Sequence, residues 1–258
     1  VVGGVANPAL DTLITGYGLG TIGKKLVEQR LTWPGSPTFV LPPDEIADNY
    51  NDYPFANLRF VGDALLDITN RENGVDFAFD ARRASNNLNL EYVMRAGTAA
   101  APGVGRDAGG WSLGNDSPIS GLKVADSADD IATAAWLVGG RTTGELIISR
   151  ALNDSMITDD GYAPLDLVDS SRGTVVLQDT LDGYARAAAA YARGANRSVS
   201  FNVRGDGQPL VGSYRPGDVM TIGVPTGHPW LTADIPVRLT SVSGDETADV
   251  IKIGCVTI

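Results

Sequence analysis

Cysteine and histidine are almost missing: the 258 residues contain one of each, Cys255 and His228. A lone cysteine forms no disulfide within the chain and builds no cysteine zinc site, and a lone histidine excludes multi-histidine metal centres. A serine–histidine–acid triad could draw only on His228 as its base. That residue stands in "PTGHPW", between prolines and two positions before Trp230, and reads as a loop histidine. No catalytic residue, cofactor ligand or metal ligand is nominated. Apolar runs are short, and none approaches the roughly 20 residues that span a bilayer, so stable membrane insertion is not expected. The opening "VVGGVANPAL" has no basic flank and no Met, which reads as a processed or excised piece rather than a signal peptide. Positive charge is scarce as well. Lys and Arg number 20 against 31 Asp and Glu, a net charge of −11. A nucleic-acid groove needs clustered cations to displace counterions, so no nucleic-acid specificity is expected. Aromatic residues are 7% of the chain, few for a dedicated sugar-binding platform. Trp111 and Trp230 fall in expected loops and read as exposed; Trp33 and Trp136 read as core or interface.

What is present is glycine, proline and alternation. Apolar residues are 43% and charged residues 20%, which suits a soluble globular protein of one large or two smaller domains. "VDFAFDAR", "LNLEYVMR" (from Leu88), "SVSFNVR", "DVMTIGV", "IPVRLTSV" and "DVIKIGCVTI" alternate apolar and polar positions, the period of half-buried antiparallel strands. "ATAAWLVGG" and "ELIISR" read as strands with less regular alternation. Helical spacing predicts three helices. The first carries Leu19, Ile22, Leu26 and Trp33 and stops at "WPG". The second is "FVGDALLDITNRENG". The third is "LQDTLDGYARAAAAYARGAN", with Gly194 as terminator. Two stretches, near 42–54 and 97–118, read as loops. Strands come in runs separated by helices, which is a mainly-β or α+β order.

Two local patterns invite a chemical reading. Gly18, Gly20 and Gly23 have the G-x-G-x-x-G spacing of a dinucleotide turn ahead of a helix, which would make the protein an oxidoreductase. Repeated strand–helix–strand units should follow, and after residue 50 they do not. Lys24 and Lys25 read as a solvated helix face. "DEIADNYND" gathers Asp44, Glu45, Asp48, Asn49 and Asp52, oxygen ligands of the type Ca²⁺ takes, but without the glycine and closing glutamate of an EF-hand loop. A solvated loop is the plainer reading. A cell-wall glycan-binding module using Trp111 or Trp230 is a further alternative.

An ordered series runs through nearly the whole chain: "GLGTIGKKLVEQRLTWPG", "GDALLDITNRENGVDFAF", "LNLEYVMRAGT", "DSPISGLKVADSADDIATAAWLVGGRTTGELIISRA", "TLDGYARAAAAYARGANRSVSFNVRGDG", "LVGSYRPGDVMTIGV" and "VRLTSVSGDETADVIKIGCVTI". Together these resemble the minor tail proteins of long-tailed phages that infect actinobacteria, a group similar to the baseplate hub proteins that close a tail tube. Arg172 stands where that pattern suggests a histidine. The resemblance implies small antiparallel β-barrels joined by helices, assembled as a ring of three subunits. It implies the distal tail protein and the tape-measure protein as neighbours, a place at the tail tip of the virion, assembly in the host cytoplasm, and no catalysis. The expected division is a helix-containing segment 1–54, an α+β hub domain 55–175, and a helix with a C-terminal barrel 176–258. Val104, Arg106, Trp111, His228 and Trp230 are the candidate interface residues.

Overall fold

The computed structural model describes residues 12–32, 34–53, 60–85, 89–142, 144–244 and 249–258. Trp33 and Leu88 lie outside them. Strand accounts for 42% and helix for 18% of the described residues, so the mainly-β expectation holds. The chain divides into two compact units, Val1–Val104 and Gly105–Ile258. Their boundary falls inside the middle segment of the three-part division given above.

The first unit contains β1 (Thr12–Tyr17), α1 (Leu19–Leu31), β2 (Phe39–Val40), β3 (Ile46–Tyr53), α2 (Val61–Thr69), β4 (Phe77–Arg83) and β5 (Leu90–Ala96). β1 pairs antiparallel with β3; β5 lies between β2, parallel, and β4, antiparallel. α1 turns Ile22 and Leu26 toward Ile14, Ala64 and Ile68, and Val27 toward Leu65 and Met94. Ile22 and Leu26 belong to the apolar stripe predicted from its spacing, with Leu19 partly buried beside them. α2 ends at Thr69, five residues before Gly74, because the chain reverses there. Thr69 donates its hydroxyl to the Val75 carbonyl, and Asn73 takes a left-handed φ of 56°. The loop expected near 42–54 is corrected: eight of its residues form β3. Its inward positions mix Asn49 and Asn51 with Ala47 and Tyr53, while Ile46 and Tyr50 face outward, so alternation of hydrophobicity could not reveal it. Asn51, buried, donates to the Tyr53 hydroxyl at 2.7 Å and accepts from Arg71.

The second unit contains β6 (Asp107–Ser112), β7 (Ile119–Ser127), β8 (Ala134–Thr142), β9 (Glu145–Leu152), α3 (Asp154–Thr158), β10 (Asp166–Asp169), α4 (Gln178–Tyr191), β11 (Asn196–Arg204), β12 (Val219–Gly223), β13 (Ile235–Ser243) and β14 (Val250–Thr257). Six strands form one sheet in the order β6-β12-β13-β14-β11-β7. Its inner face carries the alternating residues Val199, Phe201, Val203, Met220, Ile222, Val237, Leu239, Ile253 and Cys255, all buried. Among the described residues no helix contributes to that core, so the sheet covers itself. Three strands separate β6 from β11, and in a flat sheet with about 4.8 Å between neighbours they would stand about 19 Å apart. Yet the Trp111 ring on β6 meets the Phe201 ring on β11 edge-on, with centroids 5.2 Å apart. The sheet is therefore rolled. Register shifts at Ser200/Asn202, Val219/Thr221 and Leu239/Ser241 provide the bulges that bend it. The barrel expected from the sequence takes the form of a rolled sheet that does not close: among the described residues β6 and β7 do not hydrogen-bond, and the roll keeps a seam. The loop expected near 97–118 is corrected too, since it contains β6. Two glycines and one large apolar residue in "DAGGWS" gave it no strand pattern.

β8 lies between β10, parallel, and β9, antiparallel, in a second sheet. α4 covers one face of it through Leu181, Tyr184, Ala185 and Ala189 against Ala135 and Leu137. Small alanines let the helix sit close to the strands. The helix stops at Tyr191, three residues before Gly194.

Candidate functional site

The glycine turn before α1 is built for packing. A Cβ on Gly20 would lie 2.2 Å from the Gly97 carbonyl oxygen, and one on Gly23 would lie 2.4 Å from the Phe77 ring. Glu45 fills the space a pyrophosphate would need. Its backbone oxygen accepts the Gly18 N–H at 2.8 Å, its backbone N–H donates to the Thr21 hydroxyl at 2.7 Å, and its carboxylate lies against Gly18. β1 and β3 run antiparallel, so the parallel strand–helix–strand unit of a dinucleotide fold is absent at this turn. The oxidoreductase alternative ends on these contacts.

Lys24 is not solvated: it is 8% exposed, and its Nζ lies 2.5 Å from Asp44 Oδ1. Lys25 is half-exposed, pairs with Asp44 at 3.2 Å and Glu28 at 3.0 Å, and has its pKa raised chiefly by the hydrogen bond to Glu28. Asp44 thus faces two cations, and the hydrogen bond from Lys24 holds its carboxyl below the usual range. Among the described residues no three histidine, cysteine or acidic side chains converge on a metal position. Cys255 is buried on β14, donates to the Val199 carbonyl at 3.2 Å, and burial pushes its thiol up to about 12.

The five candidate interface residues are dispersed. The Val104 carbonyl accepts from Arg95, which also pairs with Asp80 at 2.7 Å. The Arg106 side chain is exposed and donates to the Ser213 carbonyl at 2.6 Å. Its backbone N–H donates at 3.2 Å to Asp218, a fully buried carboxylate that also accepts the Arg215 N–H. Asp218 belongs to "YRPGDV", where Gly217 adopts φ 94° and its N–H reaches the Leu239 carbonyl. Trp111 corrects the expectation of an exposed loop tryptophan: it is 2% exposed, set between Phe201 and Tyr214. His228 and Trp230 are brought together, edge to face at 5.2 Å, and Trp230 stays 55% exposed.

Larger surfaces escaped the sequence reading. In the second unit, the face of the β8–β9–β10 sheet opposite α4 carries Leu146, Ile148 and Leu152 on β9 and Val168 on β10, all exposed. Val168 is in register with Trp136, and Trp136 with Arg150, whose guanidinium lies 4.7 Å over the indole. In the first unit Phe39, Phe79 and Tyr92 form an aromatic group, with Phe39 stacked on Tyr92 at 5.4 Å and edge-on to Phe79 at 6.0 Å. Phe79 and Tyr92 remain exposed, as does Leu90 beside them. Exposed apolar side chains thus gather on one face of each of these sheets. The sequence signal was available: "ELIISRAL" has apolar residues on both faces of a strand.

The fold is that of phage-type tail proteins. One solved structure that shares it is the 43 kDa tail protein of prophage MuSo2 from Shewanella oneidensis, with TM-score 0.53 and 12% identity, covering 95% of this chain and 66% of that one. Another is the tail protein from Neisseria meningitidis, with TM-score 0.50 and 13% identity, covering 98% of this chain and 69% of that one. This chain spans about two thirds of the length of each. No family model matches the sequence, and no curated protein is similar to it.

Proposed function

We propose that the chain is a structural subunit of a phage tail tip or baseplate hub, working by assembly and not by catalysis. The observation that carries this reading is the match to two tail-protein folds along 95% and 98% of the chain. The unpartnered faces bearing Ile148 and Val168, and Phe79 and Tyr92, fit a protein that buries surface against other subunits. The short sheets also leave strand edges at β9 and β10 that assembly would pair or cover. The proposed assembly is a ring of three copies, with the distal tail protein and the tape-measure protein as neighbours, built in the host cytoplasm and retained in the virion. The net charge of −11 suits a subunit beside which DNA passes without being held. Cryo-electron microscopy of a tail particle carrying the chain tests the placement. Density for the rolled sheet and the α4-covered sheet, repeated three times around the tail axis at the tip, is the expected result. Its presence only on the tail shaft or capsid would overturn the reading.

A further inference from the structure

In the second unit the loop 224–234 and the adjoining ends of β7, β11, β13 and β14 line a half-open surface cavity of about 560 Å³, within the roughly 300–1,000 Å³ of small-ligand sites. Trp230 forms one wall. It is a fixed platform: His228 packs edge-on against it, and the His228 Nδ1 accepts the Leu231 N–H at 3.2 Å. Asp234 closes the loop by accepting the Val224 N–H at 2.8 Å. On the strand side Arg197 and Asp126 form a two-point pair, Nε to Oδ1 at 2.7 Å and Nη2 to Oδ2 at 2.9 Å. That pairing leaves Nη1 to donate outward, and each carboxylate oxygen keeps a further lone pair. Thr232 adds a hydroxyl to the lining.

We propose that this cavity binds a neutral oligosaccharide. An exposed indole offers a flat apolar face to the C–H face of a pyranose, and planar Arg and Asp groups match pairs of neighbouring ring hydroxyls. The ionised side chains of the lining are Asp126, Arg197 and Asp234. Their sum is one negative charge, which disfavours phosphates and acidic sugars. A protein partner is the less suited occupant: the exposed apolar sheet faces lie on other sheets, whereas here one exposed aromatic ring stands beside the Thr232 and Thr257 hydroxyls and a paired ion couple.

Saturation-transfer NMR on the full chain tests it, with the trisaccharides of β1,4-linked N-acetylglucosamine, glucose, mannose and galactose, and trigalacturonate as acidic control. Transfer to ring C–H protons of at least one neutral trisaccharide is expected. Trp230→Ala should weaken that binding by about tenfold, equivalent to about 1.4 kcal/mol, Trp230→Phe should weaken it less, and trigalacturonate should bind least. Because Trp230 is exposed, unchanged circular dichroism confirms that the variants fold. No transfer from any neutral trisaccharide, equal binding by wild type and Trp230→Ala, or a Trp230→Ala effect on subunit association alone would each overturn the proposal.

Discussion

Glu45 closes over the start of α1: its backbone pairs with Gly18 and Thr21, its carboxylate lies against Gly18, and its Oε1 accepts the Ala99 N–H at 3.2 Å. The glycines that make room are therefore packing residues. The spacing G-x-G-x-x-G was legible in the sequence, but the space it opens was not, because the filler arrives from a segment more than twenty residues away. A test separates packing glycine from free glycine. At Gly20 an added Cβ meets backbone, which cannot swing aside, so Gly20→Ala should destabilise by about 1–3 kcal/mol. At Gly62, within α2, an added Cβ meets nothing within 4 Å, and Gly62→Ala should stabilise by about 0.5–1 kcal/mol. Urea midpoints should move in opposite directions. A lower midpoint for both variants would contradict the account.

Elements were legible where burial is apolar and hidden where it is polar or curved. β11 to β14 announce themselves because each turns a line of Val, Ile, Leu, Met or Phe inward. β3 does not, because Asn51 is its buried residue, and β6 does not, because its glycines sit at a bulge. α4 was read from its apolar stripe, but the polar tether along its edge appears only in three dimensions. Asp182 accepts the Ser149 hydroxyl at 2.6 Å and the Gln178 amide at 2.7 Å, and Gln178 also donates to the Ile148 carbonyl. These bonds, the one from Ser149 first, hold the Asp182 carboxyl below its ordinary range. A folded-state pKa below the unfolded value of about 3.9 means that this contribution is complete above about pH 4. It is lost as pH falls through the folded-state value. Asp182→Asn should lower Tm at pH 7 and flatten the fall of Tm below about pH 4. Parallel Tm–pH curves for wild type and variant would show that the tether does not hold α4 to β9.

At the scale of the whole molecule, the mainly-β class and the runs of strands separated by helices could be read from the chain, and closure of the barrel could not. Whether six strands close depends on bulges and on which edges meet, and neither leaves a hydrophobic period. The exposed sheet faces were equally hidden, because an apolar residue left exposed looks the same in sequence as one buried in the core. The central claim is that these faces are contact surfaces of a multi-subunit tail structure. Ile148 and Val168 lie on the sheet face that α4 leaves open and are 51% and 65% exposed, so aspartate at both should leave the fold intact and block association. The direct measurement is mass by light scattering on the purified chain and on the Ile148→Asp, Val168→Asp double variant. The account predicts three times the 27.0 kDa chain mass for the wild type and a single-chain mass for the variant at unchanged Tm. A wild-type chain that remains single at high concentration, or a variant that associates as the wild type does, would contradict it.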